Sequence, residues 1–212
     1  MTDEELMLAV CNGDQSAYQI IVKKHLKPIS HYAFRMLGNS KDTEEISQET
    51  FLRLWRNAGR WQPAKANLST WLHRIAHNLC IDYLRKHSHV QIQADPIEGF
   101  AEAADIAQAA DTAADIDASV AARQIHRALQ ELPKSQRSAL MLCHYQGFSN
   151  KEAAAIMDIS VKALESAIAR AKRTLRIKLS MLDAGNDMTD LAQTKIAGQD
   201  AEREHDNDLA RI

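Results

Sequence analysis

The sequence predicts an all-α protein of two small helical domains joined by a flexible linker, and three observations carry that expectation. Apolar side chains recur mostly at three- and four-residue spacing, the period of one helix face. Seven Gly, four Pro and 5% aromatic residues in 212 argue against an all-β fold, while 45% hydrophobic content supports a real core. One stretch, 88–118, holds ten Ala and seven acidic residues but few large apolar side chains, so it anchors no core. Pro96 and Gly99 interrupt its early part, and 101–110 favours only transient helix through its alanines. It separates a domain over 1–87 from one over 119–182. The polar, acidic tail 183–212 is expected to be mobile.

In chain order, Ala17, Ile20, Ile21 and Leu26, then Ile29, Ala33 and Met36, mark the inward face of a long helix. Asp42-Thr-Glu-Glu45 has capping-box spacing and starts another, with Ile46, Phe51, Leu54 and Trp55 inward. Asn67 to Thr70 offers N-caps for a third helix running to about His87. In the second domain Ile125, Leu129 and Leu132 end one helix, and Pro133 opens the next, where its missing N–H costs nothing. Leu140, Met141, Cys143 and His144 carry that helix to a break at Gly147. Ser149-Asn-Lys-Glu152 is a second capping box, beginning a short helix with Ala153, Ala154 and Ile156 inward. A tight turn at 157–159 leads to Ser160, the cap of the final helix. That helix sets Val161, Leu164, Ile168, Leu175 and Leu179 on one stripe, and Lys162, Ser166, Ala169, Arg170 and Arg173 on the other.

Charge is segregated along the chain. Residues 1–87 hold 12 Lys/Arg and 9 Asp/Glu, 88–118 none and 7, 119–182 hold 11 and 4, and 183–212 hold 3 and 8. The basic block over 119–182 points to a polyanion such as DNA, which the overall net charge of −2 conceals. A short helix, a three-residue turn and a longer basic helix fit the helix-turn-helix, whose second helix enters the major groove. There Ala163 and Ala169 let the backbone approach, and Arg170 can reach guanine or phosphate. Glu165 either accepts from cytosine N4 or pairs with Lys162 or Lys172.

Other functions find little support. No run approaches the ~18 apolar residues of a membrane span. Leu6 to Val10 is too short for a signal-peptide core and is preceded by acids, so a cytoplasmic protein without membrane insertion is expected. Cys11, Cys80 and Cys143 are scattered, as reduced thiols would be. His73 and His77 have the i, i+4 spacing of metal ligands, but Arg-Ile-Ala lies between them and no Cys or Asp completes a site. No glycine-rich phosphate loop or nucleophile elbow occurs. The chain is expected to be no enzyme and to need no metal or cofactor.

Two segments of the first domain discriminate further. Asp42 to Trp55 leaves Asp42, Glu45, Gln48, Glu49 and Arg53 for solvent or a partner. Trp71-Leu-His-Arg-Ile-Ala-His-Asn78, followed by Ile81-Asp-Tyr-Leu-Arg-Lys86, is aromatic and basic. With the helix-turn-helix over Phe148 to Arg173, this wording resembles regions 2 and 4 of the bacterial sigma factors of the sigma-70 family. It is similar in particular to the extracytoplasmic-function (ECF) group, which carries only those two regions. The resemblance covers roughly 5–87 and 119–180.

The resemblance implies that Asp42, Glu45, Gln48, Glu49, Leu52 and Arg53 grip the clamp helices of the largest subunits of core RNA polymerase. It implies that Trp61, Trp71, Arg74, Asn78, Arg85 and Lys86 read and open the −10 element, with Asn78 and Trp61 shaping a pocket for an extruded base. Aromatic faces and cations are the groups such a task needs. Trp71 fits the core equally well, and Asp82 and Tyr83 fit packing roles. Lys162, Ala163, Glu165, Ser166, Ala169, Arg170 and Arg173 are implied to read the −35 element. An anti-sigma factor covering both regions and a monomeric free state are also implied. A relaxed 31-residue linker spans only ~30 Å, against ~70 Å between elements two helical turns apart. The linker is therefore expected to be stretched on promoter DNA. The alternative is a homodimeric helix-turn-helix repressor or activator that binds a palindrome unaided, with 1–87 as its dimerisation or sensing domain.

Overall fold

Local capping chemistry starts nearly every helix, and the computed structural model describes residues 1–87 and 123–180. Thr2 and Glu5 form a reciprocal capping box at the head of α1 (Asp3–Cys11). Asp14 accepts from the Ser16 and Ala17 amides to start α2 (Gln15–Leu37). α2 ends at Gly38, whose φ of +86° makes a left-handed cap that only glycine adopts cheaply. α3 (Ser40–Asn57) passes through a 3-10 turn (Ala58–Arg60) towards α4 (Leu68–Lys86), capped by Asn67. In the second segment α5 covers 123–130. α6 (Lys134–Leu140) runs on into a π-turn (Met141–Tyr145), and α7 (Asn150–Met157) leads to α8, 161–180. No strand occurs among the described residues, so the fold is all-α. The linker 88–118 and the tail 183–212 lie outside them.

The chain forms one compact unit over Met1–Lys172 and a second over Arg173–Ile212, described only along α8. In the first unit α2 is the central element. Its Ile21, Ile29, Tyr32, Ala33 and Met36 are fully buried, and α1, α3 and α4 all pack on it. α7 lies against α4, so residues 123–172 join the core built by 1–87.

Several boundaries and faces differ from expectation. α3 begins at Ser40, not at Asp42. Asn39 is the N-cap, accepting from the Asp42 amide, while its own side-chain amide donates to the Asp42 carboxylate. Two overlapping patterns, Asn39-x-x-Asp42 and Asp42-x-x-Glu45, compete here, and the earlier one gains most of an extra turn of helix. Pro133 is the N-cap residue of α6 instead of its first helical position. Ile20 (46% exposed), Leu26 (43%), Ile125 (44%) and Val161 (39%) face outward, because each helix buries a narrower stripe than its apolar residues span. On α8 the fully covered line is Leu164, Ala167 and Ala171; Ile168, Leu175 and Leu179 are half-buried. His144 is exposed and Cys143 half-buried, since the π-turn rotates them off the inward face.

The capping box at Ser149 is present as expected. Ser149 Oγ accepts from the Glu152 amide, and the Glu152 carboxylate accepts from the Ser149 amide. The Ser149 hydroxyl, and then its amide, donate to that carboxylate and hold it below its usual range. Ser149→Ala is expected to cost about 1 kcal/mol, measurable as a lowered denaturant midpoint.

Candidate nucleic-acid interface

Three surfaces carry the expected site residues. On α3, Ile46, Phe51 and Leu54 point inward and leave Glu45, Gln48, Leu52 and Arg53 exposed with Glu49 half-buried. These five line a groove of about 1250 Å³ between α2 and α3. Its α2 wall includes Val22, Leu26 and His31, and exposed Leu26 and Leu52 give the groove an apolar patch. Arg53 Nε donates to Glu49 Oε1 at 2.7 Å, one helical turn away. Asp42 stands apart from this groove. It is half-buried, anchors the start of α3, and accepts from Tyr83 Oη of α4 at 2.5 Å. Burial and that carboxylate push Tyr83 up to about 12, so the phenol stays a donor at neutral pH.

On α4, residues 71, 74, 78 and 85 recur at helical spacing and share one side. Arg74, Asn78, Arg85 and Lys86 are exposed, and Trp71 is half-buried. Arg74 reaches Asp158 at 3.7 Å, and Arg85 pairs with Asp82 at 3.1 Å. Trp61 precedes the helix, its indole N–H donating to Ala66 O at 3.1 Å, which pins the half-buried ring to the 61–67 loop. Tyr83 stacks on His87, with ring centroids 4.0 Å apart.

On α8, Lys162, Ala163, Glu165, Ser166, Ala169 and Arg170 are all exposed, opposite the buried Leu164, Ala167 and Ala171. Arg173, on the same helix in the second unit, is exposed too. Ser160 Oγ accepts from the Ala163 amide and starts the helix. Asp158, at φ +55°, makes the left-handed corner between α7 and α8. Glu165 accepts from the Asn150 side chain at 3.3 Å, so its partner is α7 and neither Lys162 nor Lys172.

The sequence pattern gave no role to one group of buried polar residues. His73 and His77 are buried, and burial pushes each down to about 4, keeping the rings neutral at pH 7. His73 Nδ1 meets Ser69 O at 2.8 Å, while His77 Nδ1 meets Tyr32 and Ser138. No cluster of three metal-ligating side chains occurs among the described residues. Burial also pushes the Cys80 thiol up to about 12, leaving it unreactive; Cys11 and Cys143 are likewise free thiols. No helix among the described residues is long and apolar enough to cross a membrane.

Residues 21–90 match the family model for Sigma-70 region 2, and 122–175 that for Sigma-70, region 4. The chain is 30% identical over 184 residues to the ECF RNA polymerase sigma factor SigM of Mycobacterium tuberculosis, covering 87% of this chain and 88% of that protein. It is 32% identical over 176 residues to the ECF RNA polymerase sigma factor SigW of Bacillus subtilis, covering 80% and 92%. Among solved structures, CnrH in complex with the cytosolic domain of CnrY aligns over 86% of this chain and 97% of its own, with a TM-score of 0.61 and 25% identity. With both regions matched and relatives aligned over most of their length, the chain belongs to the ECF RNA polymerase sigma factors of the sigma-70 family.

Proposed function

We propose that this sigma factor directs core RNA polymerase to promoters carrying −35 and −10 elements and helps to melt the −10 duplex, with all catalysis left to the polymerase. The observation that carries the reading is the set of three faces, on α3, α4 and α8, whose polar and charged side chains stay exposed. Each has the chemistry its task requires. The groove of α2 and α3 offers carboxylates around the apolar Leu26 and Leu52, which suits a basic and apolar clamp surface. Asp42 contributes there indirectly, by fixing the start of α3. The α4 side with Trp71, Arg74, Asn78, Arg85 and Lys86, together with Trp61, offers stacking faces and cations for a single strand. The α8 face with Lys162, Ala163, Glu165, Ser166, Ala169, Arg170 and Arg173 supplies phosphate and base contacts in a major groove.

An anti-sigma factor is the inhibitor in this reading; a protein of similar fold, the sigma factor RpoE of Bartonella quintana, was solved in complex with the anti-sigma factor NepR. The free protein is proposed to be a monomer in the cytoplasm.

Run-off transcription with purified bacterial core polymerase on a library of genomic promoter fragments tests the proposal. Discrete start sites appearing only with this protein support it. No stimulation, together with tight palindromic DNA binding by a homodimer, would establish the repressor reading instead. Arg170→Ala is expected to cost about 1–3 kcal/mol of promoter binding, with relaxed preference at one −35 position. Footprinting on promoter variants reads both effects.

A further inference from the structure

A single phenol joins the first turn of α3 to the last turn of α4. Asp42 stands in the first turn of α3, where unpaired amides and the helix dipole favour a carboxylate. Its carboxylate accepts from the Asn39 side-chain amide and from Tyr83 Oη, each at 2.5 Å. Farther along α3 the buried Thr50 hydroxyl turns back to Ile46 O and adds no bond to α4. Apolar packing between the two helices tolerates small slides and rotations, whereas a hydrogen bond to a carboxylate fixes a distance and a direction.

The α4 end of this link is itself built up. Tyr83 is half-buried, and its ring stacks on His87 with 21° between the planes. The His87 amide donates to Tyr83 O at 3.0 Å, and His87 Nδ1 meets the same carbonyl at 2.8 Å, closing the helix. Arg85 and Lys86 lie between these two residues in the chain, and both are exposed. A last helical turn ordinarily frays. Here the turn that carries two cations is tied through Tyr83 to the helix that carries Glu45, Gln48, Leu52 and Arg53.

We propose that Tyr83 is a positioning residue, whose bond to Asp42 sets the last turn of α4 against α3 so that polymerase seated on α3 holds Arg85 and Lys86 at the −10 element. This role rests on the proposed sigma function and deepens it. Tyr83 acts through the two cations: with the turn anchored, their ordering is completed before DNA arrives, and less freedom is lost on binding.

The test uses the full-length chain and Tyr83→Phe, which keeps the ring on His87 and removes only the hydroxyl. Asp42→Asn, which keeps an acceptor oxygen, is the milder variant should the first fail to fold by circular dichroism. Each is bound to core polymerase, and the holoenzyme is titrated against the promoter fragment that gives the strongest start site in the run-off experiment. Tyr83→Phe is expected to raise the half-saturating promoter concentration roughly tenfold, as one hydrogen bond to a charged acceptor would give. Asp42→Asn gives a smaller rise. Affinity for core polymerase stays within about twofold, a split that general damage to the fold would not produce. In an Arg85→Ala/Lys86→Ala background, Tyr83→Phe adds less than about twofold, because the groups it positions are gone. Unchanged promoter titration, an equal loss in core binding, or full multiplication of the effects in that background would overturn the proposal. A wild type that yields no start site sinks the sigma reading instead. Amide hydrogen exchange over 84–87 in the free chain then still decides the anchor: faster exchange in Tyr83→Phe supports it, and unchanged exchange removes it.

Discussion

Acidification from pH 7 to pH 5 should destabilise the first unit by about 4 kcal/mol, chiefly through His73 and His77. Both rings are buried and held neutral, their values pushed from 6.5 down to about 4 by loss of solvent. The unfolded chain therefore binds protons near pH 6.5 that the folded chain refuses until about pH 4. The stability lost per histidine is small at pH 7, about 2 kcal/mol at pH 5, and roughly 3 kcal/mol once the pH is below both values. His126 adds to the same direction, since burial and then the charges of Arg35 and Arg137 lower it to about 4. Against a typical stability of 5–15 kcal/mol, this is enough to unfold a marginal protein. Urea midpoints measured between pH 7.5 and 4.5 check it. A midpoint that stays level between pH 7 and 5, or a His77→Gln variant with undiminished pH dependence, contradicts the assignment.

Leu54→Ala should cost 2–5 kcal/mol, the second large effect. Leu54 is completely buried on the inner face of α3, where truncation leaves a cavity that a helix fixed by Asn39 and Tyr83 collapses into poorly. Two residues of sequence separate it from groove-lining Leu52, yet the energetic consequences differ in kind. Gln48→Ala, on the exposed face, should change stability by no more than ~0.5 kcal/mol and act only on polymerase affinity. Denaturant midpoints alongside core-polymerase binding separate the two. If Leu54→Ala leaves the midpoint unchanged, the account of the α3 core fails.

Features set by local chemistry were readable from the chain. The capping box at Ser149, the cap at Asn67 and the exposed Lys162–Arg170 face each depend on residues within one or two turns, so spacing alone locates them. At Asn39 the same local rule misled, because two valid caps lie three residues apart and only helix length distinguishes them. The outward Ile20, Leu26, Ile125 and Val161 were unreadable for another reason. Periodicity marks an apolar side of a helix, while the amount buried depends on which neighbour arrives. The roles of Arg137, Tyr32 and His77 were hidden most completely, since their partners lie tens to a hundred residues away in sequence. Of the histidine pair at i, i+4, His77 meets a tyrosine and a serine from two other helices, while His73 meets the Ser69 carbonyl of its own helix.

The π-turn at Met141–Tyr145 carries a consequence of its own. Its wide ring, closed by the Gln146 amide on Met141 O at 2.9 Å, accommodates one residue more than an α-turn. Removing that residue would restore regular winding and swing everything before it by about 100° relative to everything after. Arg137 and Ser138 stand on one side of this swivel, and α7 with α8 on the other. The angular phase between Arg137 and α8 is thus written in a single surplus peptide unit.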